Sequence, residues 1–374
     1  MATASVAGKG LEGVTATTSA ISSIIGSTLT YRGIDINDLA QHSSFEETAY
    51  LLWFGELPSR GQLESFCRSL AQSRAIPSQL IDLMRAFPRD ANAMACLSTA
   101  ISALAFYDPQ AQDMSPEANQ AKAIRLMAQF PTVVAALQRL REGKEPVGPD
   151  PSLNEATDFL AMLRGERPSE AAAHIMDVAL VLHADHELNA STFAARVAAS
   201  TLSDMHSTVV AALCTLKGPL HGGANEAVMR TLEQIGSVDN VTPWVRDALA
   251  RKERIMGFGH RVYKEGDPRA RWLKRMSEQL AGETGNRKWY DVSARIEELV
   301  KADKGLLPNV DFYSASVYTY LGMPRDLFTP IFAVSRVSGW IAHILEQYAD
   351  NRLIRPRAEY VGPSARAYVP ASER

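Results

Sequence analysis

Four of the eight histidines fall in three short motifs whose residue types could carry acid–base chemistry. Residues 183–189 read His-Ala-Asp-His-Glu-Leu-Asn, and residues 218–226 read Gly-Pro-Leu-His-Gly-Gly-Ala-Asn-Glu. Residues 255–269 begin Ile-Met-Gly-Phe-Gly-His and end Gly-Asp-Pro-Arg. Histidine changes charge close to neutral pH, so such motifs suit general acid–base catalysis. Asp311 could supply a carboxylate, although an aspartate that opens a helix is usually only its cap.

Other kinds of site match these motifs poorly. Residues 183–189 could bind zinc, but they lack the His-Glu-x-x-His spacing and a third strong ligand. Neither glycine-containing motif has the Gly-Lys-Ser/Thr ending of a phosphate loop or the Gly-x-Gly-x-x-Gly of a dinucleotide fold. No Gly-x-Ser-x-Gly nucleophile elbow occurs in the sequence. Acid–base chemistry is therefore the favoured interpretation, with a metal site as the open alternative.

Positive charge is concentrated around the last of the three motifs. Residues 246–275 contain ten Lys or Arg against four Asp or Glu, in a chain of net charge −3. Arg261, Lys264 and Arg269 follow the histidine of that motif, and arginine forks match carboxylate and phosphate groups. Arg336 lies in an otherwise apolar helix, where a charge is costly unless an anion or a core acid meets it. This pattern favours an anionic ligand.

The composition is that of an ordinary globular protein, with 46% hydrophobic and 22% charged residues. It argues against a basic nucleic-acid binder and against a disordered acidic chain. Cys67, Cys96 and Cys214 are widely spaced among apolar helical residues, which predicts buried, reduced thiols. No apolar run looks long enough to cross a membrane, and the N-terminus has no secretion signal. We therefore expect a cytoplasmic protein with a short disordered N-terminal tail.

Capping and periodicity signals predict a mainly α fold with a small N-terminal β element. Residues 28–36 are predicted as short strands around a turn, and about fifteen or more helices follow. Pro131 is expected to separate two helices, and Ser152 to cap another that ends at Gly165. Long helices are predicted at 169–183, 191–216 and 226–250. The first two are apolar on every face, which is typical of a buried helix or an oligomer interface.

Taken together, the motifs resemble the citrate synthase family in its shorter bacterial and archaeal form. In chain order they are His-Ala-Asp-His-Glu-x-Asn, Gly-Pro-x-His-Gly-Gly-Ala-Asn-Glu, Met-Gly-Phe-Gly-His-Arg-Val-Tyr, Asp-Pro-Arg-Ala, Pro-Asn-Val-Asp-Phe-Tyr-Ser and Arg-Pro-Arg. The resemblance implies a two-domain, nearly all-helical fold. A large domain would comprise residues 1–220 and 323–374, the latter ending in a C-terminal tail, and a small inserted domain would comprise 221–322. It also implies that 191–216 lies in a dimer interface.

The resemblance implies a reaction in which acetyl-CoA and oxaloacetate condense and the citryl thioester is hydrolysed to citrate and CoA. Asp311 would be the base that removes a proton from the thioester methyl. His221 would donate a hydrogen bond to the thioester carbonyl, and His260 would polarise the ketone of oxaloacetate. Acetyl-CoA would be a substrate, so no metal and no cofactor would be needed.

The resemblance also carries substrate binding onto further residues. Oxaloacetate or citrate would be held by His186, Arg269, Arg336 and Arg355, the last reaching in from the other subunit of a homodimer with a shared active site. Taken singly, Arg269, Arg355 and Arg357 would be interpreted as surface charges. CoA would contact the backbone of one segment, Ile255, Met256, Gly257, Phe258 and Gly259. Asn309 would lie near the same ligand.

Other functions stay open beside this one. A 2-methylcitrate synthase that uses propionyl-CoA shares these motifs, and the choice between acyl groups rests on about a methylene's worth of energy, roughly 1–3 kcal/mol. A non-catalytic helical scaffold of the same fold would usually have lost a catalytic group, whereas both histidines and the aspartate are present. A metal-dependent hydrolase using His183 and His186 is the least favoured alternative.

Overall fold

The fold begins with a three-stranded antiparallel sheet in strand order β1-β2-β3. The strands are β1 (Ser22–Ile25), β2 (Thr28–Tyr31) and β3 (Ile34–Asp35). A computed structural model describes residues 9–11, 13–260, 262–263 and 265–374, so Arg261, Lys264 and most of the predicted N-terminal tail lie outside the described residues. The strands predicted at 28–36 are confirmed, and β1 was missed because its Ser-Ser-Ile-Ile sequence has no alternation.

Sixteen α-helices lie in the described residues, which confirms the mainly α prediction. The first eight are α1 (Ile36–His42), α2 (Phe45–Phe54), α3 (Arg60–Ser73), α4 (Ser78–Arg85), α5 (Ala93–Leu104), α6 (Pro116–Arg141), α7 (Glu155–Arg164) and α8 (Glu170–His183). The others are α9 (Ala190–Ser200), α10 (Met205–Leu216), α11 (Ala224–Ile235), α12 (Val241–Ala250), α13 (Ala270–Glu283), α14 (Lys288–Lys304), α15 (Val310–Tyr320) and α16 (Phe328–Ala349).

Two of the predicted helix boundaries near prolines and serines are wrong. Helix α6 runs through Pro131, which is buried in its middle. Proline removes one helical hydrogen bond, but buried apolar neighbours on both sides keep the helix continuous. Helix α7 is capped by Asn154, whose side chain accepts the N–H of Thr157, and not by Ser152. The Ser152 hydroxyl instead donates to Asp150, 2.7 Å away.

The long helices predicted at 191–216 and 226–250 are each two helices. The first is interrupted by Leu202, whose φ of 61° is left-handed, and restarts where Asp204 caps α10. The second is interrupted at Gly236, which has a φ of 75°. An apolar pattern that continues across a short turn hides the break, because hydrophobic periodicity does not report the backbone angle of one residue.

Helix α16 is the central element of the core, with α2, α6, α8, α9 and α10 packed around it. Together with the preceding turn it spans Arg325–Ala349, long and apolar enough by composition to cross a membrane. The expectation that no segment has this length is therefore wrong, but the whole apolar window is buried inside the protein. A helix buried on all sides is normally the core helix of a large fold.

The helices from α11 to α15 pack largely on one another. Helix α15 packs on α11 and α13, and α12 packs on α14. The buried hydroxyls of Ser277 and Ser316 bond across the α13–α15 contact at 2.7 Å. This group of helices packs against α8 through α13 and against α16 through α11.

The three cysteines are not all buried as expected. Cys96 is buried and Cys67 is half-buried, but Cys214 is exposed on α10. The inner face of α10 is formed by other residues, including Val209, Leu213 and Leu216. Cys214 follows Leu213 by one position, so it turns away from that face.

Candidate active site

Asp311 lies in the first turn of α15, but Asn309 caps this helix. The Asn309 side chain accepts the N–H of Asp311 at 3.0 Å and donates to the carbonyl of Gly259 at 2.9 Å. The Asp311 carboxylate accepts no hydrogen bond from the described residues. Burial raises its pKa to about 6, and the negative charge of Asp267 adds to this, against the pull of nearby arginines. Asp311 is therefore a free carboxylate with the raised pKa of a general base.

His221 lies between α10 and α11 and is held by Ser191 in the first turn of α9. The backbone N–H of Ser191 donates to Nε2 of His221 at 3.2 Å, and the Ser191 hydroxyl lies 2.8 Å from the same nitrogen. Trp340 of α16 donates its indole N–H to that hydroxyl at 3.1 Å. Burial lowers the pKa of His221 to about 4, and the positive charge of Arg336 adds to the effect. His221 is therefore neutral at neutral pH.

His260 follows the second glycine of its motif and is held by the backbone beyond it. Its Nδ1 accepts the N–H groups of Val262 at 3.0 Å and Tyr263 at 3.3 Å. A nitrogen that accepts these bonds carries no proton, so the neutral ring has its proton on Nε2. Burial lowers the pKa of His260, and Arg269 adds to this while Asp267 opposes it.

His186 joins this group through ring contacts. Its centroid lies 5.2 Å from that of His260, and its Nε2 lies 3.1 Å from the hydroxyl of Tyr263. Burial lowers the pKa of His186 well below its ordinary value, and Arg269 and Arg336 add to that effect. The structure thus brings together two histidines that are 74 positions apart (260 − 186) in the sequence.

Arg269 is a buried arginine, which contradicts its interpretation as a surface charge. Its exposed fraction is 2%, and it forms a fork with Asp267 through bonds of 2.9 and 2.8 Å. Asp267 also accepts the N–H of Val310 at 3.0 Å. Asp267 therefore ties the arginine to the start of α15. Asp267 was not predicted from the sequence, although the Asp-x-Arg spacing could have indicated the pair.

Arg336 has the opposite environment, because no acid among the described residues lies within ion-pair distance of it. Its exposed fraction is also 2%. The Nε–H donates to the carbonyl of His183 at 2.8 Å, and the guanidinium lies 4.6 Å from the ring centre of Phe332. Burial lowers its pKa to about 10. A buried, unpaired guanidinium is costly by itself, so it favours an anion as the missing partner.

The segment 255–259 is attached to the loop before α15. The carbonyl of Gly257 accepts the N–H of Asn309 at 2.9 Å, and the N–H of Gly259 donates to the carbonyl of Leu307 at 3.0 Å. A Cβ on Gly257 would lie 2.8 Å from Phe312 and Val228, so packing alone requires glycine there. Ile255 and Phe258 are buried and Met256 is half-buried. The predicted CoA contacts at these residues and at Asn309, whose side chain is already bonded, stay predictions.

Arg355 is not brought to this site within one chain. It is exposed on the extended segment after α16 and lines a different cavity together with Thr17, Phe193 and Glu346. A contribution from Arg355 would require a second copy of the chain. The structure holds one chain, so this part of the prediction stays a prediction.

The metal interpretation finds no support in the part of the chain that the structure describes. No group of three His, Cys, Asp or Glu residues there could hold an ion. His183 is fully buried, with Nδ1 2.7 Å from the carbonyl of Ala179, while its Nε2 has no partner among the described residues. Burial lowers the pKa of His183 to about 3. His183 is therefore a buried, neutral residue whose carbonyl accepts the Nε–H of Arg336.

The charge of Arg336 connects the site residues to one another. Beside the larger effect of burial on each group, its positive charge lowers the pKa of His186, His221 and Asp311. The site thus offers one free carboxylate, neutral histidines and a buried positive charge. Such a set can remove a proton from a weak carbon acid, donate to a carbonyl and bind a small carboxylate.

The comparisons with known proteins agree on one family. Residues 10–357 match the model of the citrate synthase C-terminal domain. The chain is 56% identical to citrate synthase 2 of Bacillus subtilis, over 98% of this chain and 99% of that one. It is 43% identical to 2-methylcitrate synthase 1 of Corynebacterium glutamicum, over 98% of each chain.

A solved structure is similar over the same length. It is the ternary complex of citrate synthase from Thermoplasma acidophilum with carboxymethyl coenzyme A and oxaloacetate. The identity is 37%, the TM-score is 0.92, and the match covers 98% of both chains.

Proposed function

The chain belongs to the citrate synthase family, and we propose that it condenses acetyl-CoA with oxaloacetate and hydrolyses the product to citrate and CoA. This is an acyl transfer in which one water is consumed and the thiol of CoA is released. The observation that carries the proposal is the free carboxylate of Asp311, whose pKa burial raises to about 6. Because the relative from B. subtilis at 56% identity is named a citrate synthase, acetyl-CoA is the favoured acyl donor.

The first step is removal of a proton from the methyl group of acetyl-CoA. Asp311 takes the proton, and the Nδ1–H of His221 donates to the thioester oxygen on which negative charge develops. A neutral donor suits this task, because an imidazolium would transfer its proton outright. Each such group typically contributes a factor of about 10²–10⁴ to the rate.

The second step is attack of the enol carbon on the ketone of oxaloacetate. The Nε2–H of His260 polarises the ketone and then protonates the new alkoxide. His186, Arg269 and Arg336 hold the two carboxylates, and the unpaired Arg336 gains its anion when oxaloacetate binds. Water then cleaves the citryl thioester, which releases CoA.

The active site is shared between two copies of the chain in a homodimer. Arg355 is exposed in the single chain, and it reaches the oxaloacetate site of a partner. The CoA segment comprises 255–259 and Asn309, and the phosphates of CoA lie among the basic residues that follow. No metal or cofactor takes part. The proposed substrates place the reaction at the entry to the tricarboxylic acid cycle, and the bacterial and archaeal origin of the similar proteins supports a cytoplasmic location.

Release of free thiol from acetyl-CoA tests the reaction directly. Purified protein mixed with acetyl-CoA and oxaloacetate should release one thiol per citrate formed, and omission of oxaloacetate is the control. No release at any pH between 6 and 9 would overturn the proposal and favour the non-catalytic scaffold. Propionyl-CoA in the same assay addresses the second candidate, since a relative at 43% identity is named a 2-methylcitrate synthase. A higher kcat/KM for propionyl-CoA would make that function the correct one.

Mixed dimers test the shared site. Arg355→Ala and His260→Ala chains, each inactive alone, should regain activity when co-expressed, because one of the two sites in a mixed dimer is then intact. At equal expression and random pairing, half of the dimers contain one chain of each kind, and each of these has one intact site out of two. The mixture should therefore recover roughly a quarter of the normal activity. No recovery at any expression ratio would contradict a contribution of Arg355 across the interface.

A further inference from the structure

A single hydroxyl in the N-terminal sheet contacts both neighbours of His186. The hydroxyl of Ser22, on β1, donates to Oδ2 of Asp185 at 2.5 Å. The hydroxyl oxygen of Ser22 also accepts the backbone N–H of Glu187 at 2.9 Å. Asp185 and Glu187 are therefore both held by the hydroxyl of Ser22, a residue 163 positions before Asp185 in the sequence.

Glu187 is held in a strained conformation by the same strand. Its φ of 49° lies in the left-handed region, which is unfavourable for a residue with a Cβ. Its side chain accepts the backbone N–H of Ile24 at 2.7 Å. Bonds from β1 to both the backbone and the side chain of Glu187 thus maintain a turn that the residue would not adopt alone.

The second strand holds the other side of the turn. The hydroxyl of Tyr31, which is fully buried on β2, donates to the carbonyl of Asp185 at 2.9 Å. The same hydroxyl accepts the N–H of Asp185 at 3.1 Å. Asp185 is therefore bonded to the sheet through its N–H, its carbonyl and its carboxylate, and its side chain is fully buried.

His186 is the residue whose ring this arrangement orients. Its backbone is restrained from both sides, and its Nε2 contacts Tyr263 at 3.1 Å. A ring that contacts His260 and Tyr263 must keep one orientation to meet a small anion, because hydrogen bonds lose strength over a few tenths of an ångström.

We propose that Ser22 and Glu187 are positioning residues that set the geometry of His186 for oxaloacetate, so that the N-terminal sheet forms part of the support of the active site. This inference rests on the proposed function, since oxaloacetate is the ligand that His186 is proposed to bind. Neither residue touches the substrate. Both act through the turn at 185–187.

The test separates the two substrates. In Ser22→Ala, two hydrogen bonds to the turn are lost, and the KM for oxaloacetate should rise about tenfold to thirtyfold. The KM for acetyl-CoA should change less than twofold. Ser22→Thr keeps the hydroxyl and should restore the KM for oxaloacetate to near normal, while Glu187→Gln, which keeps an acceptor oxygen for Ile24, should be milder than Glu187→Ala.

A neighbouring serine provides the matched control. The hydroxyl of Ser23 contacts Thr30 at 2.8 Å within the sheet, so Ser23→Ala should leave both KM values unchanged. The inference is overturned if folded Ser22→Ala and Glu187→Ala both bind oxaloacetate normally. It is also overturned if Ser22→Ala loses stability and kcat while both KM values stay the same, because that is a structural effect alone.

Direct binding keeps this inference distinct from the proposed reaction. If the unmodified protein releases no thiol, the reaction is wrong, but calorimetric titration with oxaloacetate still reports on His186. Weaker binding to Ser22→Ala than to Ser23→Ala would then support the positioning role. Equal binding, or no binding to any variant, would overturn it.

Discussion

The backbone N–H of Ser191 points at Nε2 of His221 from 3.2 Å, and this contact decides which nitrogen of the histidine carries the proton. An amide N–H can only donate, so Nε2 must be the acceptor and the proton lies on Nδ1. In His260 the arrangement is reversed, because its Nδ1 accepts two backbone N–H groups. The two histidines are therefore neutral donors with their protons on opposite nitrogens.

These tautomers can be observed by NMR. In protein labelled with ¹⁵N-histidine at pH 7, we expect His221 to show a protonated Nδ1 and a bare Nε2, and His260 to show the opposite pattern. His221→Gln and His260→Gln spectra identify the signals. A protonated Nε2 on His221 would contradict the assigned role of its Nδ1–H.

Asp311→Asn should separate catalysis from stability. Removing the base should lower kcat by about 10²–10⁴ while oxaloacetate still binds. Because its pKa is raised, the folded protein holds this proton more tightly than the unfolded chain does. The carboxyl group therefore lowers the free energy of unfolding as the pH rises from 3.8 to about 6, and this loss persists at higher pH. The neutral amide should therefore raise the free energy of unfolding at pH 7.5, by up to about 3 kcal/mol.

The exposed Asp239→Asn, which changes the net charge equally, is the control for that measurement. It should alter neither kcat nor the free energy of unfolding. Normal turnover in Asp311→Asn would remove Asp311 from the mechanism.

The pH dependence of kcat/KM should follow the same carboxylate. Asp311 must be ionised to accept a proton, and its pKa is about 6. Below that pH the rate should fall about tenfold per unit. Below about pH 4 the fall should steepen, because His221, with a pKa of about 4, then becomes charged. A rate that stays constant from pH 7 to pH 5 would show that another group is the base.

Arg336→Lys should weaken oxaloacetate binding selectively. A lysine keeps the charge but loses the planar fork that matches a carboxylate, so the KM for oxaloacetate should rise about 10²–10³-fold. Arg125 is the control, because it pairs with Asp108 at 2.7 Å and forms no hydrogen bond to a predicted site residue among the described residues. Arg125→Lys should leave the KM for oxaloacetate unchanged. Equal effects of the two substitutions would argue against an anion site at Arg336.

Gly339→Ala should disturb the contact between α16 and the end of α8. A Cβ at this position would lie 2.3 Å from the carbonyl oxygen of Ala184 and 2.6 Å from Oδ1 of Asp185. We expect a loss of roughly 1–3 kcal/mol or more in urea unfolding. Gly282→Ala in α13 has open space around it and should gain about 0.5–1 kcal/mol. If Gly339→Ala were as stable as Gly282→Ala, α16 and the end of α8 would not approach each other as closely as the structure describes.

The sequence by itself determined the family and the helical class, and it supplied the candidate residues of the site. Motif order and residue type were sufficient to predict His221, His260 and Asp311 as candidates, and local patterns were sufficient for the strands at 28–36 and the helix at 169–183. These signals lie within a few residues of one another, which is why they can be read without a fold.

Only the tertiary structure decided what each of these residues can do. Asn309 takes the cap and leaves the Asp311 carboxylate free, Asp267 holds Arg269 in the interior, and Ser191 selects the tautomer of His221. The sheet at Ser22 reaches the turn around His186 in the same way. Burial and the partners of a hydrogen bond depend on segments far apart in the chain, so protonation and orientation could not be predicted from residue type and spacing.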